Sequence, residues 1–176
     1  MTPTELLDRI ATLLPDATPA PPEAVRGQAV IIVDRSRVSQ ALRALRDAPA
    51  LRFEMLMDVT AVDYHGRTPR FEVVYQLYSL SWGHRLRVKV PVPEDDPTVP
   101  TAVPIWPSAE WAEREMFDMF GVRAVGHPDL RRILMYSEFE GHPLRKDYPT
   151  NHRQPLVPER DPLVEPWYPR VGRPER

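Results

Sequence analysis

Two sets of residues in this sequence have the types and spacing for chemistry. The first is a carboxylate inside an apolar stripe. The stretch Trp111-Ala112-Glu113-Arg114-Glu115-Met116-Phe117-Asp118-Met119-Phe120-Gly121 has the period of a helix. At about 100° of rotation per residue, Ala109, Ala112, Met116, Phe117, Met119 and Phe120 share one arc, and Glu113 falls inside it. Arg114, Asp118, Glu110 and Trp111 fall outside. An inward carboxylate needs a partner or a proton, because an isolated buried charge is too costly to keep. One reading is an ion pair with an arginine of another segment, for which Arg131, Arg132 and Arg145 are candidates. The other is a general acid or base with a raised pKa. The expectation is the ion pair, in which case Glu113→Gln impairs assembly or lowers the melting temperature.

The second set is a pair of Gly-His-Pro turns, GHPDLRR (126–132) and GHPLRKD (141–147). A metal reading joins His127 and His142 to Glu115 or Asp118. The spacing matches no compact zinc pattern, such as two histidines one helical turn apart. The expectation is structural histidines. Glycine supplies each turn, and Pro128 and Pro143 bias the histidine before them toward extended backbone. A leucine then pins each turn to the core, leaving basic residues to reach carboxylates.

These groups need elements to position them. Thr2, Pro3 and Glu5 have the order of a capping box, and Leu6, Leu7, Ile10, Leu13 and Leu14 make a helical stripe ended by Pro15. A Pro/Ala linker leads to a short strand over 28–34. Ser36 opens a second helix with Val38, Ala41, Leu42 and Leu45 inward, ended by Pro49. Strands are expected over 52–64, 70–80 and 84–92, the last two joined as a hairpin. In the third, Leu86, Val88, Val90 and Val92 alternate with Arg85, Arg87 and Lys89, which reads as a core face and a solvated basic row. Residues 97–107 hold four prolines and read as a loop with at most one helical turn. Ser108 is the expected cap of the helix after it, and Gly121 its left-handed stop. The fold class is α+β: a mostly antiparallel sheet with helices packed on one face. The division is 1–27 for an N-terminal helix and linker, 28–149 for the α+β body and 150–176 for an extended proline-rich tail.

Composition narrows the function. With no cysteine in 176 residues, disulfides, thiolate metal sites, iron–sulfur ligation and cysteine nucleophiles are excluded. A net charge of −2 points to neither nucleic acid nor an anionic membrane. No apolar run approaches the ~20 residues of a spanning helix. The start, MTPTELLDRI, has the pattern of neither a secretory signal nor a transit peptide. No glycine-rich phosphate loop follows a strand.

EREMFDMFGV, GHPDLRRILM and EGHPLRKDYP, in that order, resemble the C subunit of the proton-translocating NADH:quinone oxidoreductase. This is the bacterial counterpart of the mitochondrial iron–sulfur protein 3 subunit of respiratory complex I. LMDVTAVDY and VVYQLYSL…HRLRVKVPV resemble the strands of that family, and the likeness runs from about 28 to 150. Tyr136-Ser137-Glu138-Phe139 stands where the family has a turn with proline and tryptophan, and 1–27 match loosely. The resemblance implies a non-catalytic subunit of the hydrophilic arm, peripheral on the cytoplasmic side of the bacterial inner membrane. It would carry no cofactor and pack against the D-type protein of the quinone site. FMN, iron–sulfur clusters, NADH and quinone would belong to other subunits. Glu113, Arg114, Glu115, Asp118, Gly121, His127, Pro128, Arg131, Arg132, His142, Pro143, Arg145, Lys146 and Asp147 would form a structural and interface signature, with no catalytic or metal-binding residue. A variant keeps the family with ferredoxin, F420 or hydrogenase-type chemistry as donor.

Residues 150–176 contain six prolines, yet Leu156-Val157, Leu163-Val164 and Trp167-Tyr168 recur along them. Extended, they reach roughly 85 Å at ~3.3 Å per residue. The expectation is a tail lying on a neighbouring subunit, with Trp167 and Tyr168 among its anchors. Trp111 is either a lone exposed aromatic or another partner contact. Two competing readings remain: a metal-dependent hydrolase using His127, His142 and Glu115, and a free adaptor domain outside respiration.

Overall fold

The computed structural model describes residues 2–21 and 27–154. The expected contacts of residues 155–176, including Trp167 and Tyr168, lie outside the described residues. The chain opens with α1 (Pro3–Leu13), whose Thr2 and Glu5 form the expected capping box. Then come β1 (Thr18–Pro19), β2 (Val30–Ile32), a 3-10 turn at Arg35–Arg37 and α2 (Val38–Asp47). Next follow β3 (Met55–Asp63), β4 (Phe71–Tyr78), β5 (Arg85–Val92), β6 (Thr98–Pro100), α3 (Ala109–Phe120) and β7 (Arg123–Val125).

The main sheet has the order β1-β2-β5-β4-β3. All its pairs are antiparallel except β2 with β5. The alternation of β4 and β5 puts Phe71, Val73, Tyr75 and Leu77 in register with Val92, Val90, Val88 and Leu86. All eight are at most 1% exposed. A register shift between Leu56 and Asp58 resets β3, so that Val59 and Ala61 continue the same face beside Tyr75 and Val73. Onto this face α1 packs Leu6 and Ile10, α2 packs Val38, Ala41, Leu42 and Leu45, and α3 packs Ala109 and Met116. The fold is thus α+β, with its helices on one side of the sheet. The opposite face is half-buried rather than a free basic row: Lys89 pairs with Glu72 at 2.8 Å, and Arg87 donates to Gln76.

Two short strands, β1 and β6, lie where a linker and a loop are expected, and a third, β7, where no element is expected. β1 forms within the linker, and β6 and β7 make a separate parallel pair on either side of α3 in sequence. Their two or three residues include Pro19 and Pro100, too short for any alternation to register. The Ser108 hydroxyl does not cap α3; it donates to the Leu56 carbonyl.

Arg70, at the head of β4, ties the sheet to the C-terminal segment. Its guanidinium is 3% exposed and donates twice to Asp63, at 2.8 and 2.9 Å. It also bonds Glu94 at 2.6 Å and both oxygens of Asp147, at 2.7 and 3.1 Å. The Lys146 amide completes the bonding of Asp63, at 2.8 Å. Arg70 holds the Asp63 and Asp147 carboxyls below the usual range, outweighing the opposing effect of burial. Because both folded-state values are lowered, this stabilisation is complete above the unfolded value near 3.8 and is lost as pH falls below it. Replacing Arg70 by Met strands the buried Asp63. Urea denaturation at pH 7 is expected to show a loss of about 3–5 kcal/mol, shrinking as the pH drops through the carboxylate range.

Candidate functional site

Helix α3 is where the sequence motifs converge. Glu113 is fully buried, as its place on the arc requires, yet no arginine among the described residues meets it. The Thr101 hydroxyl bonds Oε2 at 2.6 Å, and the Ala102 amide donates to Oε1 at 2.6 Å. Thr101 Oγ1 also accepts from the Val103 amide, at 3.2 Å. The three expected arginines are engaged elsewhere: Arg131 with Asp129, Arg132 with Asp118, and Arg145 with the Phe120 carbonyl. Glu113 therefore pins α3 to the loop after β6 by neutral donors, which corrects the ion-pair expectation. Burial pushes its carboxyl above the usual range, and the Ala102 and Thr101 bonds only partly oppose this.

Asp118 shows the converse. It lies outside the apolar arc and is fully buried all the same, because residues 131–135 cover it. Its Oδ1 accepts from Arg132 at 2.7 Å, while Oδ2 accepts from the amides of Ile133, Leu134 and Met135 at 3.1, 2.8 and 2.8 Å. Burial acts to raise this carboxyl, but the three amides and Arg132 outweigh it and hold it below the usual range. One turn earlier, Arg114 donates to the carbonyls of Arg131 and Arg132, at 3.1 and 3.2 Å. Segment 131–135 thus runs along the polar flank of α3.

The Gly-His-Pro turns hold the two ends of that helix. His127 Nδ1 accepts from the Asp129 amide at 3.0 Å, which leaves the ring proton on Nε2 to donate to the Glu110 carbonyl at 3.0 Å. At the far end, His142 Nδ1 donates to the Asp118 carbonyl at 3.0 Å. The Leu144 amide donates to Met119 O at 3.0 Å, and Arg145 Nε to Phe120 O at 2.6 Å. Gly121 supplies the bond to Phe117 O at 2.8 Å. The last four carbonyls, which a helix leaves without partners, are all taken. Gly121 has φ +74°, and a Cβ there would fall against Arg145 and His142, so both backbone and space call for glycine. Arg145 also lies over the Phe71 ring, 5.2 Å from its centroid. Burial first, then the nearby cations, lower the His142 pKa and favour its neutral ring.

The histidines bond α3 carbonyls eight residues apart, which is about 12 Å of helix at 1.5 Å per residue. They do not share an ion with Glu115, and among the described residues no three His, Asp or Glu side chains converge to hold a metal. A cleft of about 530 Å³, lined in part by Leu6, Met57, His84 and Arg87, contains none of the motif residues. Pro128 is exposed and Pro143 half-buried in the turns, and Lys146 and Asp147 reach back to Asp63 and Arg70. Glu115 and Trp111 stay outside the network. What the arrangement does chemically is bind one segment of chain to another.

Sequence reasoning missed Asp63, Arg70 and Thr101. Opposite charges at facing ends of β3 and β4 were a signal for the first two; no sequence signal identifies Thr101.

Three substitutions separate the carboxylates. Glu113→Gln keeps an acceptor for Ala102 and gains a donor for Thr101 while removing the buried charge. A carboxyl with a raised folded-state pKa contributes stability below its unfolded value near 4.5 and loses it as pH rises through the folded value. The Gln variant should therefore match or exceed the parent melting temperature at pH 7, with a gap that opens as pH rises. Glu113→Ala, which orphans the Ala102 amide, should cost about 1–3 kcal/mol. Asp118→Asn should lower stability by about 1.5–3 kcal/mol, the worth of hydrogen bonds to a charged group. It should also speed amide exchange at Ile133, Leu134 and Met135 ahead of the sheet.

Residues 31–154 match the family model described as respiratory-chain NADH dehydrogenase, 30 Kd subunit. That span holds β3 to β5, α3 and both Gly-His-Pro turns. The NADH-quinone oxidoreductase C subunit of Roseiflexus sp. (strain RS-1) is 49% identical over 144 residues, 82% of each chain. The protein of the same name from Citrifermentans bemidjiense is 44% identical over 158 residues, 90% of this chain and 91% of that one. Among solved structures, "Nqo5 of the trypsin-resistant fragment (1-134) in P63 form" is 39% identical with a TM-score of 0.51, over 57% of this chain and 81% of that chain. A chain of the membrane-bound sulfane sulfur reductase (MBS), an archaeal respiratory membrane complex, is 27% identical with a TM-score of 0.71, over 84% of this chain and 86% of that chain. On these grounds the chain belongs to the family of the 30 Kd subunit of respiratory-chain NADH dehydrogenase, the C subunit of NADH-quinone oxidoreductase.

Proposed function

We propose that the chain is a structural subunit of the hydrophilic arm of an NADH:quinone oxidoreductase, supporting electron transfer from NADH to quinone coupled to proton translocation. FMN, iron–sulfur clusters, NADH and quinone belong to other subunits, and the chain packs against the D-type protein of the quinone site. It sits peripherally on the cytoplasmic side of the inner membrane. The observation that carries this reading is the chemistry of the α3 network. There and at Arg70, the buried ionisable groups Glu113, Asp118 and Arg70 each bind another segment of the same chain, and the sequence has no cysteine to hold a cluster. Residues 155–176, with their recurring apolar pairs, lie on a neighbouring subunit in this reading.

A second reading keeps the structural role and changes the electron donor. The likeness over 84% of the chain to a chain of a sulfane sulfur reductase supports a place for such subunits in respiratory complexes of more than one reaction. The donor site is on other chains, so the proteins that co-purify decide between the two.

The test is purification of the complex through a tag on this chain, with NADH–quinone activity measured on the product. The isolated chain should show no flavin absorbance and no stoichiometric metal. Trypsin should cut after Arg160 and Arg170 in the isolated chain and spare both in the complex. A flavin or metal bound by the isolated chain would overturn the structural role, and equal cleavage in both states would overturn the docked tail.

A further inference from the structure

We infer that the outer face of α3, together with Leu134 and Leu144, docks a partner protein segment that presents a lysine or arginine among apolar side chains. The inference rests on the reading of the chain as a subunit and specifies one of its contact surfaces.

Trp111 and Glu115 are one helical turn apart and share the outward side of α3. Trp111 is 68% exposed. Segment 131–135 lies along the neighbouring flank through Arg114 and Asp118, and it carries Leu134, 56% exposed. Leu144, 48% exposed, sits at the end of the same helix through its bond to the Met119 carbonyl. The bonds fixing these leucines are made by their own backbone amides, to Asp118 and to Met119. Their side chains are therefore held outward by a rigid frame instead of being left over by a loose one. Such preorganisation lowers the cost of association.

Charge selects the partner. Around this face Arg114, Asp118, Arg132, His142 and Arg145 are all engaged within the chain. Exposed Glu115 makes no ion pair or hydrogen bond among the described residues. A tryptophan and two leucines around one uncompensated carboxylate complement a cation in an apolar setting. An anionic lipid surface or a nucleic acid would instead bring negative charge against the Glu115 carboxylate.

Two measurements on the assembled complex test this. The first counts how much chain enters the complex, relative to parent. Glu115→Lys should reduce assembly by about tenfold or more, Glu115→Asp should retain most of it, and Arg43→Glu, a reversal at an exposed position of α2, should leave it unchanged. The melting temperature of the isolated chain should be unaffected by Glu115→Lys, because the side chain has no internal partner to lose. Normal assembly of Glu115→Lys would overturn the surface. Failure of the unmodified chain to enter any complex would overturn the underlying subunit reading instead. The second places a photo-reactive phenylalanine analogue at position 111. The expected crosslink is to a lysine- or arginine-containing peptide of another subunit. A crosslink to residues 155–176, to a second copy or to lipid, or the lack of any crosslink, would overturn it.

Discussion

A helix ends with carbonyls that its own ladder does not satisfy, and α3 ends under a stretch of chain with little regular structure to offer. That requirement organises the C-terminal third of the described protein. Residues 126–154 form no helix or strand, and their internal bonds, such as Arg132 to the Gly141 carbonyl and Gln154 to Glu140, make no regular ladder. They acquire order by lending donors to α3: the His142 ring, the Leu144 amide and the Arg145 guanidinium each take one carbonyl of the last turn. Helix and wrap thereby satisfy one another. Neither arrangement is available to the other alone, since burying such carbonyls without donors costs the full desolvation penalty.

The sheet enters the same network through charge. Asp63 and Arg70 stand at adjoining ends of β3 and β4, and the guanidinium extends the pair to Asp147, 77 residues further along. The carboxylates of the molecule thus fall into two physical kinds. Asp63 and Asp118 are surrounded by cations and amides that favour their charged form. Glu113 meets only a hydroxyl and one amide in a buried setting, which favours its proton. All three bind one segment of the chain to another, but the two kinds respond to pH in opposite directions.

Much of this was legible in the residues, and the misses have definite causes. The α2 stripe of Val38, Ala41, Leu42 and Leu45 is buried as its spacing implies, and β5 alternates as its sequence does. These elements bury apolar side chains against other apolar side chains, the kind of partnership that periodicity records. Glu113 faces inward as read, but its partners are a backbone amide and a threonine hydroxyl, which leave no charge for the sequence to show. Asp118 was placed on the polar side because a helical wheel has no term for a loop that returns to cover it. Ser108 has the chemistry of a cap, yet the Leu56 carbonyl claims its hydroxyl. β6 and β7 are too short to alternate, and they pair only because α3 brings them side by side.

The bonds from Asp118 reach the main chain at Ile133, Leu134 and Met135 and leave their side chains unread. An amide is common to nineteen of the twenty residue types, so this anchor constrains the path of the segment far more than its spelling. Substitution at the exposed Leu134, proline apart, can proceed without loosening the hold, whereas Ile133 and Met135 are half-buried. The wrap is therefore a place where the chain can alter its outward character, one residue at a time, over a fixed skeleton.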